Sequence, residues 1–126
     1  MDHEQIEGLH LADEFKCNGI DINVWKGEVE DVPVTFLQPE NGHFDVGCIY
    51  GRGDDHIRFN FFCECALEWM SHTEAKVDII HAHDWSSAPV INARRSKLPP
   101  GCATVFTIHN LQSVSYTHLR AHETFA

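Results

Sequence analysis

Alternation of apolar and polar side chains marks two strands in the N-terminal third of the chain. Ile20-Asp21-Ile22-Asn23-Val24-Trp25-Lys26 carries an apolar residue at every second position, the period of a strand with one buried face. After Gly27, Val32-Pro33-Val34-Thr35-Phe36-Leu37 is β-branched and aromatic, and it stops at the breaker cluster Gln38-Pro39-Glu40-Asn41-Gly42. The two runs are close enough to form a hairpin or to be neighbours in one sheet. The acidic first twenty residues lack a comparable period and are expected to be a weakly ordered or edge segment.

The period then changes. Between Asp54 and His72, residues Ile57, Phe61, Phe62, Cys65, Ala66 and Trp69 fall on one stripe of an α-helix, with Asp54 or Asp55 placed to cap it. Val77-Asp78-Ile79-Ile80-His81-Ala82-His83 reads as a short buried strand. Asp84-Trp85-Ser86-Ser87-Ala88-Pro89 follows, where Ser86 or Ser87 can cap a helix with Pro in its first turn, running to about Arg95. Pro99-Pro100-Gly101 breaks the chain before Ala103-Thr104-Val105-Phe106-Thr107-Ile108, a second buried strand that ends in His109-Asn110. Strand, helix, strand in this order predicts parallel βαβ units and an α/β fold.

Ligands of open α/β sheets bind in the crevice beyond the C-terminal ends of the strands. His81, His83, Asp84 and His109 stand at two successive strand ends of that kind. The residues alone also allow a plainer arrangement, with Asp84 capping the next helix and His81 packed in the core.

Composition narrows the partners. Nineteen Asp and Glu against 9 Lys and Arg give a net charge of −10, which repels a phosphate backbone, so nucleic acid is not an expected partner. Apolar runs last only a few residues, too short to cross a membrane. Five cysteines, Cys17, Cys48, Cys63, Cys65 and Cys102, include no CxxC and no regular spacing, which fits a reducing compartment. His81-Ala82-His83-Asp84 resembles the start of a metallohydrolase ligand cluster, and two His at i and i+2 on a strand share a face. Further ligands at a defined spacing are missing, and Cys63 and Cys65 lie inside the helical stripe, where Cys is usually a small core residue. Arg52-Gly53-Asp54 is an adhesion-type tripeptide expected by chance. No GxGxxG, GxxxxGK[ST] or GxSxG occurs.

Five blocks, taken together, resemble one family. They are Val32-Pro33-Val34-Thr35-Phe36-Leu37-Gln38-Pro39-Glu40-Asn41-Gly42, Gly47-Cys48-Ile49-Tyr50-Gly51, Arg58-Phe59-Asn60-Phe61-Phe62-Cys63, Asp78-Ile79-Ile80-His81-Ala82-His83-Asp84-Trp85-Ser86-Ser87-Ala88-Pro89-Val90 and Val105-Phe106-Thr107-Ile108-His109-Asn110-Leu111. In this order they resemble the starch synthases of plants and algae and the bacterial glycogen synthases, from about Ile22 to Gln112. The form HDWSSAPV is similar to the plant-type enzymes of the starch synthase III and IV group.

That resemblance implies a fold and a reaction. The fold would be a partial Rossmann-like N-terminal domain of a GT-B glycosyltransferase, α/β with a mostly parallel sheet. The reaction would be retaining transfer of glucose from ADP-glucose to the non-reducing end of an α-1,4-glucan, with no cofactor and no metal. Carried over by motif, Asp84 matches a cleft aspartate that orients sugar hydroxyls, and His109 a cleft histidine that hydrogen-bonds the transferred glucose; these two are the catalytic candidates. His83, Asn110 and Phe44 are the implied substrate-binding residues. Plastid localisation is implied in the same way, with the transit peptide outside this chain.

The family's glycine-rich Lys-x-Gly-Gly-Leu donor loop and its second domain are not found in the sequence, so the chain is expected to be a fragment that is inactive alone. Residues 1–113 would be part of the N-terminal catalytic domain. Residues 114–126 would stand outside the fold, because VSYTHLRAHET (Val114 to Thr124) resembles a translated sequencing adaptor. Two alternatives stand beside this reading: a non-catalytic glucan-binding or scaffolding fragment, and a metal-dependent hydrolase using His81, His83 and Asp84.

Overall fold

A computed structural model describes residues 3–110, and the chain divides into two compact units, Met1–Tyr50 and Gly51–Ala126. The expected tail at 114–126 lies outside the described residues.

The first unit is a three-stranded antiparallel meander in the order β1-β2-β3, with β1 at Glu7–Cys17, β2 at Ile20–Val29 and β3 at Val32–Pro39. Its two turns dictate that pairing. Cys17 pairs with Ile20 across Asn18-Gly19, and Val29 pairs with Val32 across Glu30-Asp31. All four turn residues have positive φ, between 49° and 78°, as a two-residue type I′ hairpin requires. Two-residue connections can join only antiparallel neighbours. The mostly parallel sheet expected from the sequence is therefore met in the second unit, while the N-terminal strands pair the other way.

The first twenty residues hold an edge position, as expected, but as an 11-residue strand. Register shifts between Glu7 and His10 and between Leu11 and Asp13 bulge β1, and its start passes close over Gly27. A Cβ at Gly27 would lie 2.6 Å from Ile6 Cγ2 and 3.1 Å from the Glu7 carbonyl oxygen, so only glycine lets the edge strand approach. Strand alternation buries Phe15, Cys17, Ile22 and Val24 on one face. On exposed ground, Trp25 Nε1–H donates to Gln38 Oε1 at 2.8 Å and Lys16 pairs with Asp21 at 2.8 Å. Asp21 holds the Lys16 ammonium above its ordinary range by a hydrogen bond and by its charge.

The second unit holds α1 (Asp55–His72), β4 (Ile79–His83), α2 (Asp84–Ile91) and β5 (Ala103–Thr107), with a single 3₁₀ turn at Arg95–Lys97. β4 and β5 are parallel and in register from Ile79↔Ala103 to His83↔Thr107, with α2 on the crossover, which is the expected βαβ unit. Cys63 and Leu67 of α1 pack with Ile80, Val90, Leu98 and Cys102, while Ala82, Ala88 and Phe106 form a smaller cluster.

Helix α1 has nearly the expected bounds, and its buried face overlaps the expected stripe only in part, with Cys65 buried and Phe61, Ala66 and Trp69 half-buried. Arg58, Cys63, Cys65 and Leu67 are buried, whereas Ile57 is 52% and Phe62 36% exposed. Arg58 is only 1% exposed; its guanidinium reaches Asp55 Oδ1 at 3.1 Å and lies 5.2 Å from the Phe59 ring centre. Helix α2 begins earlier than the serine caps suggest, with His83 rather than Ser86 or Ser87 at the cap position, and ends at Ile91. Among the described residues no helix is long and apolar enough to cross a membrane.

Candidate active site at the ends of two parallel strands

Parallel register brings the ends of β4 and β5 side by side. Alternation along β4 turns Ile80 and Ala82 inward and leaves His81 and His83 exposed on the opposite face. His81 is therefore not a core residue. Its Nε2 meets Thr107 Oγ1 at 2.7 Å, and its ring stacks on His83 with centres 4.2 Å apart.

Asp84 turns the chain from strand into helix at φ +58°, the left-handed region that Asp tolerates better than most residues. This turn aims its carboxylate at the loop after β5. Asp84 Oδ1 accepts the backbone N–H of His109 at 2.6 Å and that of Asn110 at 3.3 Å. The cap position of α2 is His83, and Asp84, its first residue, instead ties two strand ends together through charge-assisted hydrogen bonds. His83 Nδ1 lies 3.1 Å from His109 Nε2. Ser87 secures the junction from one turn on, accepting the His83 N–H at 2.7 Å and donating to the His83 carbonyl at 2.5 Å. Neither expected serine is the cap: His83 holds that position, and Ser87 ties the turn from inside the helix.

Helix α1 supports the site from the side. Phe59 meets Trp85 edge to face, with ring centres 5.1 Å apart, and so sets the start of α1 against the start of α2. Just before α1, the Arg52 guanidinium grips Asp54 at 2.9 and 3.3 Å and holds that carboxyl below the usual range. Asp55 is also held low. Burial pushes it up, but the Gly51 N–H at 2.8 Å and the Arg58 guanidinium outweigh that effect. With Arg52 and Asp54 paired to each other, the adhesion-type tripeptide is closed on itself.

The structure thus brings together His83, Asp84, His109 and Asn110, with His81 beside them. Phe44 belongs to the first unit, where it is 36% exposed and lines an open groove of about 550 Å³ with Leu37, Pro39, Asn23, Gln38 and Glu40. Asn23 Nδ2 donates to Glu40 Oε1 at 3.1 Å along this groove. Gln38 and Glu40 belong to the strand-ending cluster and to the first of the five family-like blocks.

The metallohydrolase reading finds no support in this geometry. His81 Nε2 faces Thr107, His83 Nδ1 faces His109 and Asp84 Oδ1 faces two amides, so the three side chains do not converge on one point. Cys63 is buried and its Sγ–H donates to the Ser86 carbonyl at 3.4 Å; burial pushes its thiol up to about 12, far from a ligating thiolate. A different acidic group escaped the sequence reading. Glu7, Glu28 and Asp31 place carboxylate oxygens within 4.8 Å of one another at an exposed end of the first sheet.

Fold and site together define an α/β protein with a carboxylate, two imidazoles and backbone amides gathered where parallel strands end. A family model for the starch synthase catalytic domain matches residues 2–125, and the chain belongs to that family. It is 43% identical over 117 residues to soluble starch synthase 3a, chloroplastic/amyloplastic, of Oryza sativa subsp. japonica, covering 89% of this chain and 6% of that protein. It is 34% identical to glycogen synthase 1 of Nitrosococcus oceani, covering 93% of this chain and 26% of the relative. A solved structure, the catalytic domain of starch synthase IV from Arabidopsis thaliana bound to ADP and acarbose, matches with a TM-score of 0.79 and 32% identity over 89% of this chain and 25% of that one. The chain therefore spans about a quarter or less of the length of these relatives.

Proposed function

We propose that this chain is part of the N-terminal catalytic domain of a retaining glucosyltransferase that moves glucose from ADP-glucose to the non-reducing end of an α-1,4-glucan. Residues 1–113 supply that part, and 114–126 stand outside it. The observation that carries the reading is the convergence of Asp84, His109 and Asn110 at the strand ends of a chain belonging to the starch synthase catalytic domain family. ADP and acarbose on the Arabidopsis structure support a nucleotide-sugar and glucan site, and the chloroplastic/amyloplastic names of the plant relatives support a plastid location.

Retaining transfer passes through an oxocarbenium-like state, and the enzyme must hold donor and acceptor in contact while charge develops on the leaving group. Asp84 Oδ1 accepts the His109 and Asn110 amides, which fixes the carboxylate, and Oδ2 is the oxygen that receives a sugar hydroxyl in this reading. His109 hydrogen-bonds the transferred glucose. His83 and Asn110 complete the binding set at the strand ends, and in the first unit Phe44 is the further substrate-binding residue that the resemblance implies, offering an aromatic face of the kind on which sugar rings pack.

The test is a chimera in which residues 22–112 replace the matching segment of the Arabidopsis starch synthase IV catalytic domain, assayed for radiolabelled glucose passing from ADP-glucose into glycogen. The folded chimera is expected to transfer glucose and the isolated 126-residue chain to transfer none. A folded but inactive chimera would refute the assignment.

A further inference from the structure

The relation between His83 and His109 has a geometry that an ordinary ring stack lacks. Their planes differ by 21°, their centres are 5.3 Å apart, and yet His83 Nδ1 and His109 Nε2 are 3.1 Å apart. Near-coplanar rings whose nearest nitrogens are so much closer than their centres meet edge to edge, each nitrogen pointing along the axis of the other. Such a pair is a hydrogen bond between two imidazoles, and it requires one nitrogen to donate while the other accepts. One proton therefore occupies the contact. Whichever ring supplies it, the two neutral histidines share one tautomer, both Nδ1–H if His83 donates and both Nε2–H if His109 donates, and His109 is left with Nδ1 as the only ring nitrogen available to a ligand.

We propose that His83 is a positioning residue, which fixes the tautomer and ring plane of His109 through a shared proton. Three further contacts hold His83 in place for this. Its backbone N–H and carbonyl both engage Ser87, at 2.7 and 2.5 Å, and its ring rests on His81, whose Nε2 is tied to Thr107 Oγ1 on β5 at 2.7 Å. Meanwhile the backbone N–H of His109 is pinned by Asp84 at 2.6 Å. With His109 held at its main chain by one residue and at its ring by the residue before it, the imidazole is preorganised before any ligand arrives. Beyond its place in the binding set, His83 thus acts through His109, and this positioning role in transfer rests on the sugar-facing reading of His109.

Nitrogen-15 NMR of the ¹⁵N-histidine-labelled 126-residue chain at about pH 8, where histidine is ordinarily neutral, tests the pair without any ligand. The expected signature is a scalar coupling between His83 Nδ1 and His109 Nε2 together with the same tautomer in both rings. His83→Phe, which keeps the stack on His81, should abolish the coupling and leave His109 in a mixture of both tautomers. His83→Asn, which offers an amide near the place of Nδ1, should restore a single tautomer. In the chimera the same variants should lower kcat about tenfold for Phe and substantially less for Asn, with KM for the glucan little changed. Absence of the coupling in the wild-type chain, or a His109 tautomer that is the same with His83→Phe as without it, would overturn the proposal. Transfer that survives His109→Ala would count against the sugar-facing reading of His109 alone, while the coupling still decides the pair.

Discussion

Asp84 Oδ1 and the backbone N–H of His109 are 2.6 Å apart, which fastens the end of one parallel strand to the end of the next. A residue in the left-handed region that also holds two amides is sensitive to what replaces it. Asp84→Asn keeps an acceptor oxygen and tolerates positive φ, so urea unfolding of the chain should change by less than about 1 kcal/mol. Asp84→Ala loses the acceptor, leaves two amides unsatisfied and puts a Cβ-bearing residue with no local hydrogen bond at φ +58°. It should cost about 2–4 kcal/mol, read as a lower urea midpoint at unchanged slope. Equal midpoints for the two variants would contradict the clamp.

The two hairpin turns make an internal comparison. Asn18-Gly19 is the residue pair that a type I′ turn favours, whereas Glu30-Asp31 puts a long side chain at φ 49°. Replacing Glu30-Asp31 by Asn-Gly should stabilise the chain by roughly 1–2 kcal/mol, because it relieves left-handed strain without touching a packed residue. Thermal melts of the wild type and the double variant decide this, and an unchanged or lower Tm would mean that the turn carries no strain.

Carboxylates crowd the exposed end of that same sheet. Glu7 and Glu28 are directly paired across β1 and β2, with Asp31 alongside. Like charges facing across strands destabilise, so Glu28→Lys should add about 0.5–1 kcal/mol at low salt, and the gain should shrink as ionic strength rises. A gain that persists at molar salt would point to packing rather than charge.

Much of this architecture was legible in the sequence, for identifiable reasons. Strict alternation in β2 exposed that strand, and the order of β4, α2 and β5 with polar residues at both strand ends pointed to the candidate site. Strand β1 was harder, since its charged residues alternate poorly once bulges interrupt the register. The Asn18-Gly19 pair carried the missing hairpin signal. The face of α1 misled because apolar residues lie on several sides of that helix, while one of its most buried side chains is Arg58, whose charge is met by Asp55. Hydropathy has no way to mark an arginine as interior when its partner three residues earlier makes burial tolerable. The ring-to-ring contact of His83 with His109 joins residues on two strands and depends on exact register, which periodicity does not report.

Cysteine chemistry follows from burial. Cys48 is exposed, while Cys17, Cys63, Cys65 and Cys102 are buried. A thiol reagent at about pH 8 should modify Cys48 rapidly in the native chain and the other four only after unfolding. The Cys63 thiol is pushed by burial from 9.0 to about 12, so between those values the unfolded thiol ionises while the folded one stays protonated. Folding thus retains its full Cys63 contribution below pH 9.0 and loses up to about tenfold in equilibrium constant per pH unit from there to about 12. Stability that rises across this alkaline window would contradict the assignment of Cys63 to the core.

The central claim is that Asp84 faces the transferred sugar, and the rate of glucose transfer by the chimera carrying Asp84→Asn tests it most directly. Asparagine preserves the acceptor for His109 and Asn110, so the fold and the strand-end geometry should survive while the carboxylate charge is lost. The expected result is a melting curve like that of the unsubstituted chimera with kcat reduced about a hundredfold, the scale of losing one preorganised interaction worth roughly 3 kcal/mol to the transition state. A well-folded Asp84→Asn chimera that transfers glucose from ADP-glucose to glycogen at the unsubstituted rate would show that this strand end is not the reacting site.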